Sequence, residues 1–207
     1  MAEVWRPITV SEAARLMRPL GAVWWIAGGW ALDLHAGRET REHEDLDIGI
    51  ARRDQLAVQR ALARDWRLYK TQQPGLAPWP AGEELAAPVN GVWARRADSS
   101  EWAFELLLVD GCGEDWVYRR LPEIRRPITS VVATTRDGIP YLRPEVQLLY
   151  KGGSSGPRQK DLEDLRRMLP LLTAAEAAWL RDALSRQFPG GHRWLEELDA
   201  GRAGSQP

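Results

Sequence analysis

Two aspartates separated by a single leucine are the residues of this chain best suited to chemistry. Asp45 and Asp47 lie in the segment DLDIGI, whose alternating apolar positions are typical of a strand with one buried face. Both carboxylates then leave the opposite face about 6–7 Å apart, where their repulsion raises both pKa values. A divalent cation that prefers oxygen ligands, Mg²⁺ or Mn²⁺, would remove this repulsion. The alternative is a solvated strand edge at which the aspartates only end the sheet.

A third carboxylate interrupts an otherwise apolar strand. Glu105 occupies the middle of EWAFELLLV, on the same face as Leu107. An ionised group in such surroundings is costly unless it is paired or bound to a metal. We therefore expect Glu105 to be a third metal ligand or the base that activates an attacking hydroxyl. A salt bridge to Arg95 or Arg96 on the neighbouring strand is the alternative.

Two glycines precede the aspartates by about one short helix. Gly28 and Gly29 stand between the apolar segment VWWIA and the helical segment WALDLHAG. Glycines allow the backbone to approach a ligand closely, and the N–H groups at a helix start favour an anion. A tight turn without a ligand is the alternative. Together with the aspartates, the glycines predict one pocket in which a helix start holds phosphates and the Asp pair holds the bridging metal.

The elements that position these residues follow from periodicity. Capping-box patterns at Thr9 with Glu12, and at Thr173 with Glu176, begin amphipathic helices. Strand patterns occur in VWWIAGG, LDIGI, WRLYKTQ, GVWARRA, EWAFELLLVD, WVYRR and SVVATTRDGIPYL, and helical patterns dominate afterwards. We therefore predict an α+β fold with a mixed β-sheet over residues 1–140, a C-terminal helical domain over 141–199 and a disordered tail over 200–207.

Composition limits the classes of function. With a net charge of −1, the chain does not have the excess of basic residues that is typical of nucleic-acid-binding proteins. The segments WARRA and VYRRLPEIRRP still allow a local basic patch that could bind nucleic acid. The single cysteine, Cys112, excludes an internal disulfide and favours a reducing compartment. No apolar segment approaches the roughly 20 residues of a membrane-spanning helix, and no signal-peptide pattern begins the chain. We expect a cytoplasmic protein without a membrane partner.

The segment GGWALDLHAGRETREHEDLDIGI, residues 28–50, resembles the signature of DNA polymerase β-like nucleotidyltransferases. It is most similar to the small antibiotic-modifying members, the aminoglycoside 2″-adenylyltransferases and the lincosamide nucleotidyltransferases. These families share a G-G-W start, a G-R-x-T-R-x-H segment and the D-x-D pair. A weaker likeness extends through GIPYLRPEVQLLYK and KDLEDL, which resemble the family's C-terminal helices.

The resemblance implies a role for each motif. Asp45 and Asp47 would bind two Mg²⁺ ions, with Mn²⁺ as a substitute, and Gly28 and Gly29 would contact the triphosphate. Glu105 stands where the family has a third carboxylate, usually Asp. Because glutamate is one methylene longer than aspartate, the Glu105 carboxylate would act as base or ligand from a shifted position, or the reaction itself would differ from that of the family.

Trp30, Arg41, His43 and Lys151 complete the predicted nucleotide-binding set. Arg41 and His43 either contact phosphate or hold the aspartate loop in place. The alternative for both is structural pairing with the neighbouring glutamates, which are Glu39, Glu42 and Glu44. Lys151 either reaches the nucleotide phosphates or ends a solvated helix.

A second charged group and one loop aromatic are interpreted structurally. Lys160, Asp161 and Asp164 are predicted to form a salt-bridged helix face. Trp79, in a loop rich in proline and glycine, either stacks on a ligand ring or anchors the loop.

The resemblance implies transfer of a nucleoside monophosphate, first of all AMP from ATP, to a hydroxyl of a small molecule such as an aminoglycoside or a lincosamide. Transfer to a tRNA end or a protein side chain, and nucleotide binding without catalysis, are the alternatives. A polycationic aminoglycoside would need an acidic cleft. The candidates for its acidic side chains are Glu83, Glu84, Glu114 and Asp115.

Overall fold

An eight-stranded sheet carries the predicted carboxylates. The computed structural model describes residues 3–112, 114–154, 156 and 158–203. Its α-helices are α1 (Val10–Met17), α2 (Gly28–Ala36), α3 (Gln55–Leu62), α4 (Ile128–Val131), α5 (Pro144–Gly152), α6 (Gln159–Met168), α7 (Ala174–Gln187) and α8 (Arg193–Ala203). Its strands are β1 (Trp24–Ile26), β2 (Asp47–Ala51), β3 (Trp66–Thr71), β4 (Leu76–Pro78), β5 (Gly91–Arg96), β6 (Trp102–Val109), β7 (Gly111–Cys112), β8 (Asp115–Val117), β9 (Arg125–Pro127), β10 (Val132–Thr134) and β11 (Pro140–Leu142).

The large sheet is mixed, with the strand order β10–β11–β1–β2–β6–β5–β3–β4. At its centre β1 runs antiparallel to β2, and β2 runs parallel to β6. Antiparallel strands continue the sheet through β5, β3 and β4, while β11 pairs in parallel with β1 on the other side. A small antiparallel sheet contains β7, β8 and β9. The predicted α+β fold class, a mixed sheet with flanking helices, is confirmed.

Burial of one face fixes β2 in the middle of the sheet. Leu46, Ile48 and Ile50 have no exposed surface, as the alternation in DLDIGI predicts. Removing such a side chain from water contributes about 1.5–3 kcal/mol. The row therefore holds the strand in the register that sends Asp47 to the opposite, partly exposed face.

The helices begin where their capping residues predict. At α1 the Thr9 hydroxyl accepts the Glu12 N–H at 3.2 Å, and the Glu12 carboxylate accepts the Thr9 N–H at 2.8 Å. The same reciprocal pair joins Thr173 and Glu176 at α7. Further along the chain, α5 contacts α2, α6 and α7, which places the C-terminal helices beside the glycine turn.

The predicted domain boundary at residue 140 falls at the start of a sheet strand. Because β11 pairs with β1 through Tyr141 and Ile26, the large sheet extends to Leu142. The division into two domains stays a prediction. The predicted tail over 200–207 overlaps α8, which ends at Ala203, and residues 204–207 lie outside the described residues.

Trp79 anchors its loop. Its ring is buried, and its indole N–H donates a 2.8 Å hydrogen bond to the Glu83 carbonyl. Two glutamines of α3 hold the same loop, because Gln55 bonds the backbone of Leu85 and Gln59 bonds Pro80. Among the described helices, none has the length and apolar character needed to cross a membrane.

Candidate active site

Two of the predicted carboxylates stand side by side in the sheet. Asp47 is the first residue of β2, and its Cα partner on the parallel strand β6 is Glu105. Asp45 lies in the connection before β2, because the strand begins one residue after the start of the predicted segment LDIGI. On the β1 side the pairing ends with Ile26 opposite Ile48, where the chain turns into α2, and on the β6 side it continues to Asp47 opposite Glu105. These three acids form the open cluster, defined as Asp45, Asp47 and Glu105.

Burial and mutual repulsion make Asp47 and Glu105 hard to ionise. Burial raises the pKa of Asp47 to about 7, and the charge of Asp45 adds to the effect, against weaker attraction from cations of the helical region. Burial likewise raises the pKa of Glu105 to about 8, with contributions from Asp47 and then Asp45. A hydrogen bond from the Trp93 side chain acts in the opposite direction on Glu105. A general base works best when its pKa lies near the pH at which the protein operates.

The alternative partner for Glu105 is absent from the described part of the chain. The Arg95 guanidinium lies 4.9 Å from the centre of the Tyr69 ring and donates to its hydroxyl at 2.6 Å. The Arg96 guanidinium lies over Trp66. Because both arginines are engaged with aromatic rings, neither forms an ion pair with Glu105.

The donor chemistry of the open cluster fits a hard divalent cation. Its oxygen atoms are of the kind that Mg²⁺ binds, and burial with mutual repulsion outweighs the attraction of protein cations at Asp47 and Glu105, whose pKa values are raised. Within residues 3–203, apart from the gaps in the description, no three acidic, histidine or cysteine side chains already stand close enough to enclose an ion. The charges of the open cluster therefore interact with one another, but its side chains do not surround a metal position.

Gly28 is required by the position of Asp47. Its φ of +66° favours glycine, and a Cβ at this position would overlap the Asp47 carboxylate. The N–H of Gly28 donates a 2.8 Å hydrogen bond to the side chain of Gln147 on α5. This glycine therefore brings the start of α2 against the acid, while its own amide is occupied by protein.

His43 and Trp30 lie behind the glycine turn. His43 Nε2 is 2.6 Å from Asp33 Oδ2, and Asp33 also accepts the Thr40 hydroxyl at 2.5 Å. The Trp30 ring is 4.6 Å from the His43 ring, and a Cβ on Gly29 would collide with that histidine. His43 is thus held by Asp33 rather than by a neighbouring glutamate, because the buried carboxylate lies closer to its ring.

The helical region contains a second acidic pair, the paired cluster, defined as Asp161 and Asp164. Lys151 Nζ lies 3.3 Å from Asp161 and 2.9 Å from Asp164, and all three side chains are buried. The other cations that pair with these acids are Arg41, Arg158 and Arg167. Burial opposes ionisation here too, but these hydrogen bonds and charges outweigh it and lower the pKa of both acids.

This arrangement corrects two interpretations. Lys151 is not a solvated helix end, since its amine is enclosed by two carboxylates. The expected helix face of Lys160, Asp161 and Asp164 is salt-bridged, but the aspartates point inward, and Lys160 instead reaches Glu44 at 3.5 Å. The inward direction follows from Lys151, whose buried charge requires partners.

Two cavities meet at Asp47. The basic cavity, of about 350 Å³, is lined by Gly28, Gly29, Arg41, Glu44, Asp45, Asp47, Arg120, Gln147, Tyr150, Lys151, Ser154, Gly156, Arg158, Lys160 and Asp161. The apolar cavity, of about 400 Å³, contains Glu105 and Asp47 together with aromatic and aliphatic walls. Both cavities share Gly28, Asp47, Arg120, Gln147 and Tyr150. A group bound in one cavity therefore touches a group bound in the other beside Asp47.

Sequence reasoning missed three residues at or behind this junction. Arg120 lines both cavities and is held by the Tyr118 hydroxyl at 3.1 Å and the Tyr150 carbonyl at 2.8 Å. Gln147 is buried beside it, and its polar side chain within the apolar pattern of α5 was an available signal. Asp33 had a similar signal as the acid in WALDL, whereas no local pattern singles out Arg120.

The acids proposed for a cationic acceptor lie elsewhere. Glu83 pairs with Lys70. Glu84, Glu114 and Asp115 line a neighbouring cavity of about 310 Å³, where Arg53 approaches Glu114 at 3.7 Å. The cavity that contains Glu105 is therefore not the acidic cleft expected for a polycation.

This chain is similar to known proteins in sequence and in fold. Residues 9–73 match the model of the aminoglycoside-2''-adenylyltransferase family. This match includes the glycine turn and both aspartates of the D-x-D pair. No protein with a curated description matches the chain.

Solved structures extend the likeness to most of the chain. The lincomycin-bound lincosamide antibiotic adenylyltransferase LnuA is 16% identical, with a TM-score of 0.56, over 81% of this chain and 100% of LnuA. The antibiotic-resistance factor ANT(2'')-Ia in solution is 18% identical, with a TM-score of 0.56, over 88% of this chain and 96% of its own. ANT(2'')-Ia with adenylyl-2''-tobramycin is 17% identical, with a TM-score of 0.52, over 86% and 94%. The resemblance to nucleotidyltransferases is confirmed, by a family model in the N-terminal third and by fold beyond it.

Proposed function

We propose that this nucleotidyltransferase-like chain transfers AMP from ATP to a hydroxyl group of a small antibiotic-like molecule. The observation that carries the proposal is the register of Asp47 against Glu105 at the junction of a basic and an apolar cavity. The related solved structures are described as adenylyltransferases of lincosamide and aminoglycoside antibiotics, which supports the same reaction class.

The basic cavity is suited to a triphosphate. Arg158 and Lys160 are partly exposed at its wall, and Lys151 and Arg41 add charge from behind the paired cluster. Gly29 lines the same cavity at the first turn of α2, where the helix dipole favours an anion. Arg120, at the junction, is placed to contact the phosphoryl group that moves from one cavity to the other.

We propose Asp45 and Asp47 as ligands of Mg²⁺, with Glu105 as a third ligand or as the base. When bound, the metal would neutralise the phosphates and the acids and so lower the barrier to phosphoryl transfer. Mn²⁺, which prefers similar ligands, is expected to substitute.

The chain's own residues then define the transfer step. The acceptor hydroxyl, bound in the apolar cavity that Glu105 lines, loses its proton to the Glu105 carboxylate. The acceptor oxygen forms a bond to the α-phosphorus of ATP as the bond to the bridging oxygen breaks. Pyrophosphate leaves on the side of the basic cavity, and positioning of the two reactants supplies much of the acceleration.

The test is transfer by the Asp47→Asn variant. Purified protein is incubated with Mg²⁺, ATP and a panel of antibiotic acceptors, and pyrophosphate release and the adenylylated product are measured. We expect wild-type transfer to depend on metal, and D47N to lose about 10²–10³-fold or more in rate because the neutral amide holds the metal more weakly than the carboxylate does. Asp182→Asn, an exposed acid on α7, is the matched control. Near wild-type turnover by D47N would contradict the assignment.

The same assay separates the alternatives. A macromolecular acceptor is disfavoured because the arginines of the two basic segments are largely engaged within the protein, as with Arg95 on Tyr69 and Arg126 on Glu145. Transfer of labelled AMP to added tRNA or protein would support a macromolecular acceptor instead. Metal-dependent ATP binding without transfer to any acceptor would instead indicate a nucleotide-binding protein without catalysis.

A further inference from the structure

The wall of the apolar cavity is built from large apolar side chains. Its aromatic and aliphatic members include Trp25, Leu107, Leu108, Val109, Trp116 and Leu142. Leu107 and Val109 lie on the same face of β6 as Glu105, and both are partly exposed. An acceptor whose hydroxyl reaches Glu105 must therefore lie along these aliphatic side chains.

Two glycines give the cavity its floor. A Cβ at Gly49 would strike the Trp25 ring, and a Cβ at Gly91 would strike the Glu105 carboxylate. Gly49 and Gly91 are the register partners of Leu107 on either side of it. The Trp25 indole therefore lies over Gly49 and the Glu105 carboxylate lies over Gly91, with Leu107 between them. The floor beside the carboxylate is thus made of an indole ring and an aliphatic side chain, which offer an apolar surface to a bound body.

The charges around this cavity do not favour a polycation. Asp110 is neutralised by Arg52, which also bonds the Val89 carbonyl and the Asn90 side chain. Arg119 and Arg120 add positive charge to the lining. Once Asp47 serves the metal and Asp110 is paired with Arg52, Glu105 is the remaining acid of this cavity among the described residues.

We infer that the acceptor is a compact molecule with an apolar body and at most one positive charge, held by the aliphatic wall of β6 rather than by acidic side chains. This inference rests on the proposed function and specifies its substrate class. It distinguishes between the two kinds of acceptor named for the similar structures, since lincomycin carries one basic nitrogen and an alkylated ring whereas tobramycin carries several ammonium groups. The chain is therefore expected to prefer the former chemistry, although its family match is to an aminoglycoside-modifying family.

The first experiment compares kcat/KM for lincomycin and tobramycin with the same preparation, at saturating Mg²⁺ and ATP. The ratio of the two values does not depend on the fraction of folded enzyme. We expect at least a tenfold preference for lincomycin, because a misplaced charge or a lost apolar contact typically costs that much in discrimination. An equal rate or a preference for tobramycin would overturn the inference while supporting the proposed function.

The second experiment changes the wall. Leu107→Ala and, independently, Val109→Ala should raise the KM for lincomycin about tenfold and leave the KM for ATP within about twofold, because only the acceptor contacts this wall. Glu114→Gln removes an exposed acid of the neighbouring cavity, and Leu171→Ala trims an exposed leucine far from the site. Both controls should leave the lincomycin KM unchanged. A rise with E114Q but not with L107A or V109A would show recognition by charge and would overturn the inference.

Metal-dependent binding of ATP, measured by calorimetry, distinguishes the two levels of failure. If ATP binds only with Mg²⁺ but neither acceptor is modified, the acceptor class is wrong, while the nucleotide site stands. If ATP does not bind, the proposed function fails and the acceptor class fails with it.

Discussion

The open cluster and the paired cluster contain the same kind of residue in opposite electrostatic states. Asp47 and Glu105 have pKa values raised to about 7 and about 8, whereas the pKa values of Asp161 and Asp164 are lowered. Burial acts on all four acids in the same direction. The difference lies in the cations, because Lys151 and three arginines contact the paired cluster directly.

This contrast shows which acids are available for a ligand. A neutralised pair stabilises the fold and has little affinity left for an added cation. An acidic group without protein cations is unstable by itself and gains from binding metal. Buried acids with raised pKa values, beside a cavity, are therefore better candidates for function than buried acids with lowered ones.

The largest expected effect on stability comes from breaking the paired cluster. Lys151→Met removes the buried amine and leaves Asp161 and Asp164 with less compensation, so we expect a loss of about 3–5 kcal/mol in the free energy of unfolding. Urea unfolding followed by tryptophan fluorescence measures this loss. The control is Lys160→Met, because Lys160 pairs with the exposed Glu44. This variant should change the free energy of unfolding by less than about 1 kcal/mol. If Lys151→Met and Lys160→Met lowered the free energy of unfolding equally, the paired cluster would not have the structural role assigned to it.

Neutralising the open cluster should have the reverse sign and a smaller size. Without metal, Asp47→Asn or Glu105→Gln is expected to stabilise the fold by about 1–2 kcal/mol at pH 8, because one buried charge that repels its neighbours disappears. Thermal or urea unfolding in a chelator measures the change. A destabilised D47N at pH 8 would mean that the ionised acid has partners that the geometry does not show.

The pH dependence follows from the same shifts. Because the folded pKa values of Asp47 and Glu105 lie above their unfolded values, the folded state binds more protons between about pH 4 and pH 8, and its stability falls as the pH rises through that window. The lowered pKa values of Asp161 and Asp164 act in the other sense. Their stabilisation is present above about pH 4 and is lost as the pH falls through their folded values. The E105Q and D47N variants should flatten only the upper window.

Local patterns in the sequence predicted the open cluster well. Alternation in DLDIGI identifies the buried row of Leu46, Ile48 and Ile50, and an acid in an apolar strand singles out Glu105. The pairing of Asp47 with Glu105 also requires that β2 and β6 are neighbours in this register, which only the structure shows. What the pattern did not give was the start of β2, because that depends on its pairing with β6, which begins at Asp47 opposite Glu105.

Contacts between distant parts of the chain were beyond such patterns. Arg41 reaches Asp164 across 123 residues, and Gly28 reaches Gln147 across 119. No local pattern shows which distant residues will meet, and the neighbouring glutamates considered for Arg41 are not the acids that its side chain pairs with. The two cavities likewise arise only when α5 lies beside α2.

The smallest expected effect tests the contrast through metal binding. Mg²⁺ should stabilise the folded wild type by about 1 kcal/mol at several times its dissociation constant, because it binds the folded open cluster and not the unfolded chain. For a chain of this size the melting temperature should rise by roughly 2–4 °C. The shift should disappear in D47N, which lacks the charge, and persist in K151M, whose damage lies in the paired cluster. A Mg²⁺ response retained in full by D47N would contradict the assignment of the metal to the open cluster.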